Sequence, residues 1–243
     1  MSETSSKIEE ATQRLRTQYN ELAELAGSLA HEIKNPLSVI RMNMELLAED
    51  LADAETPSER RALAKIDTVQ KQCTRLENLL QDFLKFTRLH DLELSPGSLN
   101  DVVERVLAFF EPQAKHSDID FIRFLDPALP SIKLDEQTLH AALLNLVKNS
   151  LEAMPDGGQL LARTRLTRNG VALDLIDTGC GMDSKTAMRM FEAFFSTKSG
   201  GSGLGLPTAR KIIEAHGGRI SVQSEVGRGT QFTIEFPQPA RIL

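Results

Sequence analysis

Apolar residues recur at steps of three and four along the first third of the chain. This spacing is typical of one face of a helix in a coiled coil. The first series consists of Leu22, Leu25, Leu29, Ile33, Leu37, Ile40, Met44, Leu47 and Leu51. After a break at residues 53–55, the segment Thr56–Glu59 has the sequence of a capping box, which predicts the start of a second helix. The second series consists of Ala62, Ile66, Val69, Cys73, Leu76, Leu80 and Phe83.

Two long amphipathic helices joined by a short turn predict an antiparallel hairpin. Two helices alone cannot cover both apolar faces, so we expect a second copy to complete a four-helix bundle and the protein to be a homodimer. The alternative is that the hairpin packs against the C-terminal part of its own chain. The length of the apolar series favours the dimer.

One histidine departs from this apolar pattern. His31 lies between two members of the first series and is therefore predicted to point outward. Glu32 follows it, and Asn35 lies one turn further along the same helix face. Pro36 removes a backbone hydrogen bond and bends the helix near His31. On this pattern alone, His31 is either a residue placed for chemistry or an ordinary surface histidine.

Beyond about residue 91 the pattern changes to short strands that alternate with helices. All but one of the 15 glycines lie in this part, the exception being Gly27. Strands are predicted at 119–124, 131–134, 159–167, 171–177, 220–224 and 230–236, and helices near 99–114, 135–153 and 204–216. A hairpin is predicted to turn at Asn169-Gly170. The predicted fold class is therefore a helical hairpin followed by an α/β sandwich with a mixed, largely antiparallel sheet.

Four polar or glycine-rich segments of this second part are candidates for chemistry. Asn145 and Asn149 lie one turn apart on helix 135–153, and amide oxygens suit Mg²⁺, although surface or capping asparagines look the same. Asp177 ends a strand before a loop that contains Gly179 and Gly181, where backbone could approach a ligand.

The remaining two candidate segments consist mainly of glycine. Residues 198–206 (KSGGSGLGL) lead into helix 204–216, and glycine-rich backbone at a helix N-terminus binds anions. A flexible linker has a similar composition. Residues 227–230 (GRGT) precede the last strand, where a simple hairpin turn is the alternative.

Composition excludes several classes of protein. The chain has 28 Lys and Arg against 34 Asp and Glu, a net charge of −6, and no basic block, which argues against nucleic-acid binding. No apolar run approaches the ~20 residues of a membrane span, and the polar N-terminus lacks a signal-peptide core. Cys73 and Cys180 are too few for a disulfide framework and favour a reducing, cytoplasmic location.

Taken in order, the candidate segments resemble the sequence boxes of two-component sensor histidine kinases. The matching segments are 28–37 (SLAHEIKNPL) for the H box, 145–153 (NLVKNSLEA) for the N box, 177–182 (DTGCGM) for the first glycine box, 191–198 (FEAFFSTK) for the F box of the nitrogen-regulator-like branch, and 201–205 and 227–230 for further glycine boxes. Each box alone is weakly specific, but six in one order over residues 22–237 are very specific.

The resemblance implies a phosphoacceptor hairpin followed by an ATP-binding domain of the fold shared with gyrase, Hsp90 and MutL. It implies that ATP phosphorylates His31, with Glu32 accepting a proton from the imidazole. The phosphoryl group would then pass to an aspartate in the receiver domain of a response regulator. Asn35 is implied to orient water that dephosphorylates the same regulator.

The resemblance also assigns roles at the nucleotide. Asn149 would hold Mg²⁺ with Asn145 in support, Asp177 would accept a hydrogen bond from the adenine amino group, and Thr230 would assist. The implied ATP-binding residues are Asn145, Asn149, Asp177, Gly179, Gly181, Lys198, Gly201, Gly203, Leu204, Gly205 and Thr230. Glu152 departs from the family pattern, because many relatives carry a basic or amide residue there.

The predicted domains are a helical lead-in (1–21), a dimerisation and phosphotransfer domain (22–90), a linker (91–98) and a catalytic ATP-binding domain (99–238). Input is expected from an upstream sensor domain or protein. A stand-alone ATPase of the gyrase, Hsp90 and MutL type is one alternative, and a non-catalytic dimeric adaptor is another. Asn145, where those ATPases use a glutamate, disfavours the first, and the intact glycine loops disfavour the second.

Overall fold

The computed structural model describes residues 26–30, 32–53, 56–87, 92–198 and 200–237. The chain divides into two compact units, Met1–His90 and Asp91–Leu243. No helix in the described ranges is long and apolar enough to cross a bilayer.

The first unit contains two long helices. Helix α1 covers residues 26–30 and 32–50, and helix α2 covers Pro57–Thr87. The predicted capping box is confirmed at the start of α2, where Glu59 N donates to Thr56 Oγ1 at 3.2 Å and Thr56 N donates to Glu59 Oε2 at 2.9 Å. Two backbone N–H groups at the helix start are thereby satisfied.

The described members of the two apolar series include buried, half-buried and exposed side chains. Leu37, Ile66 and Cys73 are buried. Other members are between 38% and 57% exposed, namely Leu29, Ile33, Ile40, Leu47, Val69 and Leu76. The described part of the hairpin therefore carries an uncovered apolar stripe.

The second unit alternates strands and helices. In chain order its elements are β1 (Ser95–Gly97), α3 (Leu99–His116), β2 (Ile119–Phe124), β3 (Ile132–Leu134), α4 (Glu136–Glu152), β4 (Gly158–Thr167), β5 (Gly170–Asp177), α5 (Ser184–Arg189), α6 (Gly205–Ala215), β6 (Arg219–Glu225) and β7 (Gly229–Pro237). The main sheet has the order β2-β4-β5-β7-β6, in which only the β2–β4 pair is parallel. The predicted mixed, largely antiparallel sheet is confirmed.

The core of this unit lies between the sheet and the helices, with α4 packed against both α3 and α6. Alternate residues of β7 are buried, so one face of the strand points into this layer. Leu146 on α4, Leu173 on β5 and Phe232 on β7 are completely buried. Burial of each such side chain contributes about 1.5–3 kcal/mol, so α4 is held firmly against the sheet.

Two local features differ from the sequence-based expectations. Thr167 pairs with Gly170, so the β4–β5 turn consists of Arg168 and Asn169, one residue earlier than predicted. The short elements β1 and α5 were not predicted. Helix α5 depends on its N-cap, where Asp183 Oδ1 accepts a hydrogen bond from Thr186 N at 2.7 Å. Because α5 buries none of its residues, its sequence has no apolar periodicity from which the helix could be predicted.

Candidate nucleotide-binding site

Asp177 is a buried carboxylate at the end of β5, with only 3% of its surface exposed. Its Oδ1 accepts hydrogen bonds from the backbone N–H groups of Gly179 and Thr230, each at 3.0 Å. Its Oδ2 accepts one from Ser150 Oγ at 2.9 Å. Burial raises the pKa of Asp177 and outweighs the lowering effect of these hydrogen bonds.

This hydrogen-bond pattern leaves Asp177 able to accept one more partner. An ionised carboxylate has about four lone-pair positions, and three of them are used. The remaining position is on Oδ2, because Oδ1 already accepts two hydrogen bonds. The side chain is thus oriented from α4, the loop after β5 and β7, and it retains one position for a ligand that donates a hydrogen bond.

Glycines let three backbone segments meet beside this carboxylate. Gly229 has φ +93° and Gly181 has φ +64°, a region that other residues rarely adopt. A Cβ atom on Gly229 would collide with the carbonyl oxygen of Asp177, and one on Gly181 would collide with that of Glu225. A Cβ atom on Gly179 would lie 2.7 Å from the carbonyl oxygen of Ala153. Glycine is therefore required at all three positions by close backbone contact.

Two side chains in this region were missed by sequence reasoning. Ser150 directly follows Asn149 and donates to Asp177, as described above. Ser224 pairs with Thr230 across β6 and β7, and the two hydroxyl oxygens lie 3.0 Å apart. Ser224 Oγ also accepts from Met182 N at 2.9 Å. The cross-strand register could have revealed Ser224, whereas nothing in its local sequence distinguishes it.

Lys198 contacts the C-terminal part of α4. Its Nζ donates to Asn149 Oδ1 at 2.9 Å and to Glu152 Oε2 at 2.7 Å. A Cβ atom on Gly205 would lie 3.3 Å from Asn145 Oδ1, so the start of α6 approaches the same helix. Both predicted asparagines therefore face the segment between residues 198 and 205.

The described residues 194–198 and 200–204, here called the glycine-rich loop, lead into α6. Phe194 N donates to Gly203 O at 3.0 Å, and Gly203 has φ +66°. Gly201 N donates to Lys198 O at 3.3 Å. The side chain of Leu204 is completely buried, so only its backbone could contact a nucleotide. Among the described residues no side chain caps α6, and its first N–H groups suit an anion.

The amide oxygen of Asn149 fits a hard cation. Asn149 Oδ1 accepts a hydrogen bond from the Lys198 ammonium group, and it is an oxygen ligand of the kind that Mg²⁺ prefers. No group of three or more His, Cys, Asp and Glu side chains in the described part of the chain could hold a metal. A bound Mg²⁺ would therefore take its other ligands from water and phosphate oxygens.

The structure brings the predicted residues of the second unit together, but it does not describe all predicted residues of the first. His31 lies outside the described residues. Glu32 and Asn35 are exposed on α1. A cavity of about 540 Å³ lies elsewhere, at the β2–β4 edge of the sheet, and contains no predicted site residue. It is lined by Phe124, Leu125, Asp126, Leu161, Arg163, Thr164 and Ile176.

Two family models match the chain. Residues 134–240 match the family described as "Histidine kinase-, DNA gyrase B-, and HSP90-like ATPase". Residues 21–92 match the "His Kinase A (phospho-acceptor) domain". The two matches follow the order expected from the sequence boxes.

Curated relatives match nearly the whole length of this chain. The chain is 34% identical over 230 residues to the signal transduction histidine-protein kinase AtoS of Escherichia coli (strain K12), covering 93% of this chain and 37% of AtoS. It covers between 28% and 49% of the length of the first three curated relatives it matches. The similarity is therefore confined to part of each of those proteins.

Solved structures show the same fold. Full-length ShkA in complex with AMPPNP has a TM-score of 0.70 and 28% identity, covering 90% of this chain and 47% of that one. The histidine kinase ThkA in complex with response regulator protein TrrA has a TM-score of 0.66 and 27% identity, covering 94% of this chain and 65% of that one.

Proposed function

Because this chain belongs to the two-component sensor histidine kinases, we propose that it phosphorylates His31 with ATP and passes the phosphoryl group to an aspartate of a response regulator. The observation that carries the proposal is the arrangement at the C-terminal half of α4. Ser150 orients a buried carboxylate with one remaining acceptor position, and Asn149 lies next to a lysine of the glycine-rich loop. One helix thus serves both an adenine-binding and a phosphate-binding region.

Asp177 is proposed to recognise adenine. The adenine amino group donates hydrogen bonds, and the remaining acceptor position on Asp177 Oδ2 suits it. Ser150, Gly179 and Thr230 hold the carboxylate in one orientation, so little conformational entropy is lost on binding. Thr230 pairs with Asp177 across β5 and β7, so its side chain lies on the same face of the sheet as that of Asp177. The hydroxyl of Thr230 is held by its contact with Ser224.

The phosphates are proposed to lie between α4 and the start of α6. Lys198 would contribute a positive charge, and the backbone N–H groups of Gly203 and Gly205 would bind phosphate oxygens. Mg²⁺, when bound by Asn149 with Asn145 in support, neutralises phosphate charge. The chain's own contribution is to position the nucleotide and to exclude side chains where the backbone must approach it.

The transfer itself is proposed to occur at His31. A ring nitrogen attacks the γ-phosphorus, a P–N bond forms, and the bond to the bridging oxygen of ADP breaks. Glu32 accepts the proton from the other ring nitrogen. The regulator's aspartate oxygen then attacks the phosphorus and the P–N bond breaks. The imidazole regains the proton held by Glu32, which restores the neutral histidine. Asn35, exposed on α1, is proposed to orient water that hydrolyses the regulator's phosphoaspartate.

A homodimer is part of this proposal. The uncovered apolar stripe of the hairpin supports it, because a second copy would bury six large side chains that are now exposed. A cytoplasmic location is proposed because both cysteines are free thiols. The structures of the relatives with AMPPNP and with a regulator support ATP and a receiver domain as ligands.

Incubation with γ-labelled ATP and Mg²⁺ tests the proposal. We expect label on the protein that is lost in acid and stable in alkali. His31→Gln should abolish this label, whereas His116→Gln, at the last turn of α3, should retain it. Release of free phosphate without labelled protein would instead support the stand-alone ATPase, and neither product would support the adaptor.

The phosphatase activity needs a separate assay. Asn35→Ala should retain autophosphorylation but slow the loss of label from a phosphorylated regulator. Unchanged dephosphorylation in this variant would show that Asn35 does not orient the attacking water.

A further inference from the structure

Lys198 makes two polar contacts across the candidate site. Its Nζ lies 2.9 Å from Asn149 Oδ1 and 2.7 Å from Glu152 Oε2. The lysine belongs to the glycine-rich loop, and its two acceptors lie one turn apart at the end of α4. These contacts therefore join the loop to the helix without any nucleotide between them.

The contact with Asn149 uses the oxygen that a Mg²⁺ ligand role requires. An ammonium group and a divalent cation within about 3 Å of one oxygen repel each other strongly at the surface of a protein. Lys198 and Mg²⁺ therefore exclude each other at Asn149.

Glu152 determines the position of the Lys198 side chain. The amide oxygen of Asn149 is a neutral partner, whereas the carboxylate of Glu152 adds a charge-assisted hydrogen bond. The side chains of Lys198 and Glu152 are 39% and 40% exposed, so solvent screens the pair and a ligand can break it. Lys148 Nζ is more distant, at 3.9 Å from Glu152 Oε1, and belongs to the same helix.

We propose that Glu152 is a positioning residue that holds Lys198 on Asn149 while nucleotide is absent, so that MgATP must displace Lys198 before Asn149 can act. On binding, phosphate oxygens replace Glu152 as the anionic partner of Lys198. The inference rests on the proposed function, because it assigns the displaced contact to the nucleotide site.

Amide hydrogen exchange of the nucleotide-free protein tests the contact itself. Glu152→Gln and Lys198→Gln should each accelerate exchange in the glycine-rich loop, and the double variant should be no faster than Lys198→Gln, which already lacks both contacts. Glu136→Gln is the matched control, because Glu136 lies at the other end of α4 and pairs with Arg105 at 2.8 Å. Loop exchange that is unchanged in Glu152→Gln would overturn the proposal.

Binding of ATP with Mg²⁺ tests the competition. Glu152→Gln should strengthen binding by about 1.5- to 5-fold, the range expected from the loss of an exposed ion pair. In the Lys198→Gln background the same substitution should have no effect. Equal strengthening in both backgrounds would mean that Glu152 merely repels phosphate, and weakening would mean that it binds the ligand directly; either result overturns the proposal.

The two measurements separate this inference from the proposed function. A wild-type protein that does not bind MgATP would refute the proposed function, while the exchange experiment would still decide whether Glu152 holds the loop. A protein that binds MgATP without coupling between Glu152 and Lys198 would keep its function and refute the inference.

Discussion

Asp177→Asn should separate adenine recognition from folding. The amide oxygen can occupy the position of Oδ1 and still accept from the N–H groups of Gly179 and Thr230. The amide nitrogen then takes the position of Oδ2 and donates to Ser150 Oγ, whose hydroxyl can accept. The reverse orientation would place an NH₂ group against two backbone donors. The variant should therefore keep its three internal hydrogen bonds and lose only the acceptor position that is proposed for adenine.

The expected magnitudes differ for the two obvious substitutions. Asp177→Asn should change the free energy of unfolding by less than about 1 kcal/mol. Asp177→Ala leaves two buried backbone N–H groups without an acceptor, each at about 1–3 kcal/mol, and should destabilise by roughly 2–6 kcal/mol. A hydrogen bond to a charged acceptor contributes about 1.5–3 kcal/mol, so Asp177→Asn should weaken ATP binding by about 10- to 150-fold.

Denaturant unfolding and calorimetric nucleotide binding provide the assay, with ATP compared with ITP. The base of ITP carries an oxygen in place of the amino group, so the amide NH₂ of Asp177→Asn should reduce or reverse the preference for ATP. Wild-type affinity for ATP in this variant would refute the assignment of adenine to Asp177. Unfolding at the same denaturant concentration as Asp177→Ala would refute the orientation of the hydrogen bonds.

The same substitution should alter the dependence of stability on pH. Because burial raises the pKa of Asp177, the folded state favours the protonated carboxyl. The stabilisation by this group is complete below its ordinary value of 3.8 and is lost as the pH rises through the folded-state pKa. Relative to wild type, Asp177→Asn should therefore gain stability as the pH increases over that interval.

Substitutions at three further positions, with one matched control, test the framework of the second unit by denaturant unfolding. Gly229→Ala should lower the free energy of unfolding by about 2–4 kcal/mol, because φ is +93° and the added Cβ atom would meet a backbone oxygen of β5. Gly227→Ala is the control: its φ is +77° but the space around it is open, so this substitution should lower the free energy of unfolding by less. At the start of α4, Asp135 N donates a hydrogen bond to His216 Nε2 at 3.0 Å. His216→Phe removes this acceptor and should lower the free energy of unfolding by about 1–3 kcal/mol. Unchanged stability would contradict this expectation. Burial alone would raise the pKa of Asp174, but hydrogen bonds from two arginines and a threonine lower this pKa overall. The stabilisation by Asp174 is therefore present above pH 3.8 and is lost as the pH falls through the folded-state pKa. Asp174→Asn should be less stable than wild type at pH 7, and this difference should disappear in acid.

The parts of the fold that depend on local sequence could be predicted. The capping box at Thr56 and the strand patterns require only neighbouring residues. Gly181 and Gly229 could be recognised because glycine is the residue that permits positive φ and close backbone approach. The short helix α5 could not be predicted, since a helix of one to two turns shows no complete apolar period.

The parts of the site that depend on tertiary contacts could not be predicted. Ser224 acts through the register of β6 against β7, and a shift of one residue would point its hydroxyl to the other face of the sheet. The contact between Glu152 and Lys198 joins residues 46 positions apart and depends on the path of the glycine-rich loop. The resemblance to the family implied only that Glu152 departs from its pattern, not which residue Glu152 contacts.

The two ends of the candidate site are held by forces of different strength, and this predicts which end changes when nucleotide binds. At the proposed adenine end, Asp177 and Gly229 cannot shift without breaking buried hydrogen bonds between β5 and β7, which costs several kcal/mol. At the phosphate end, Lys198 is held by a half-exposed ion pair that contributes about 1 kcal/mol or less. Binding should therefore find the adenine end preformed and rearrange the glycine-rich loop. Adenosine, which has no phosphate to draw Lys198 away, should bind wild type and Glu152→Gln with equal affinity.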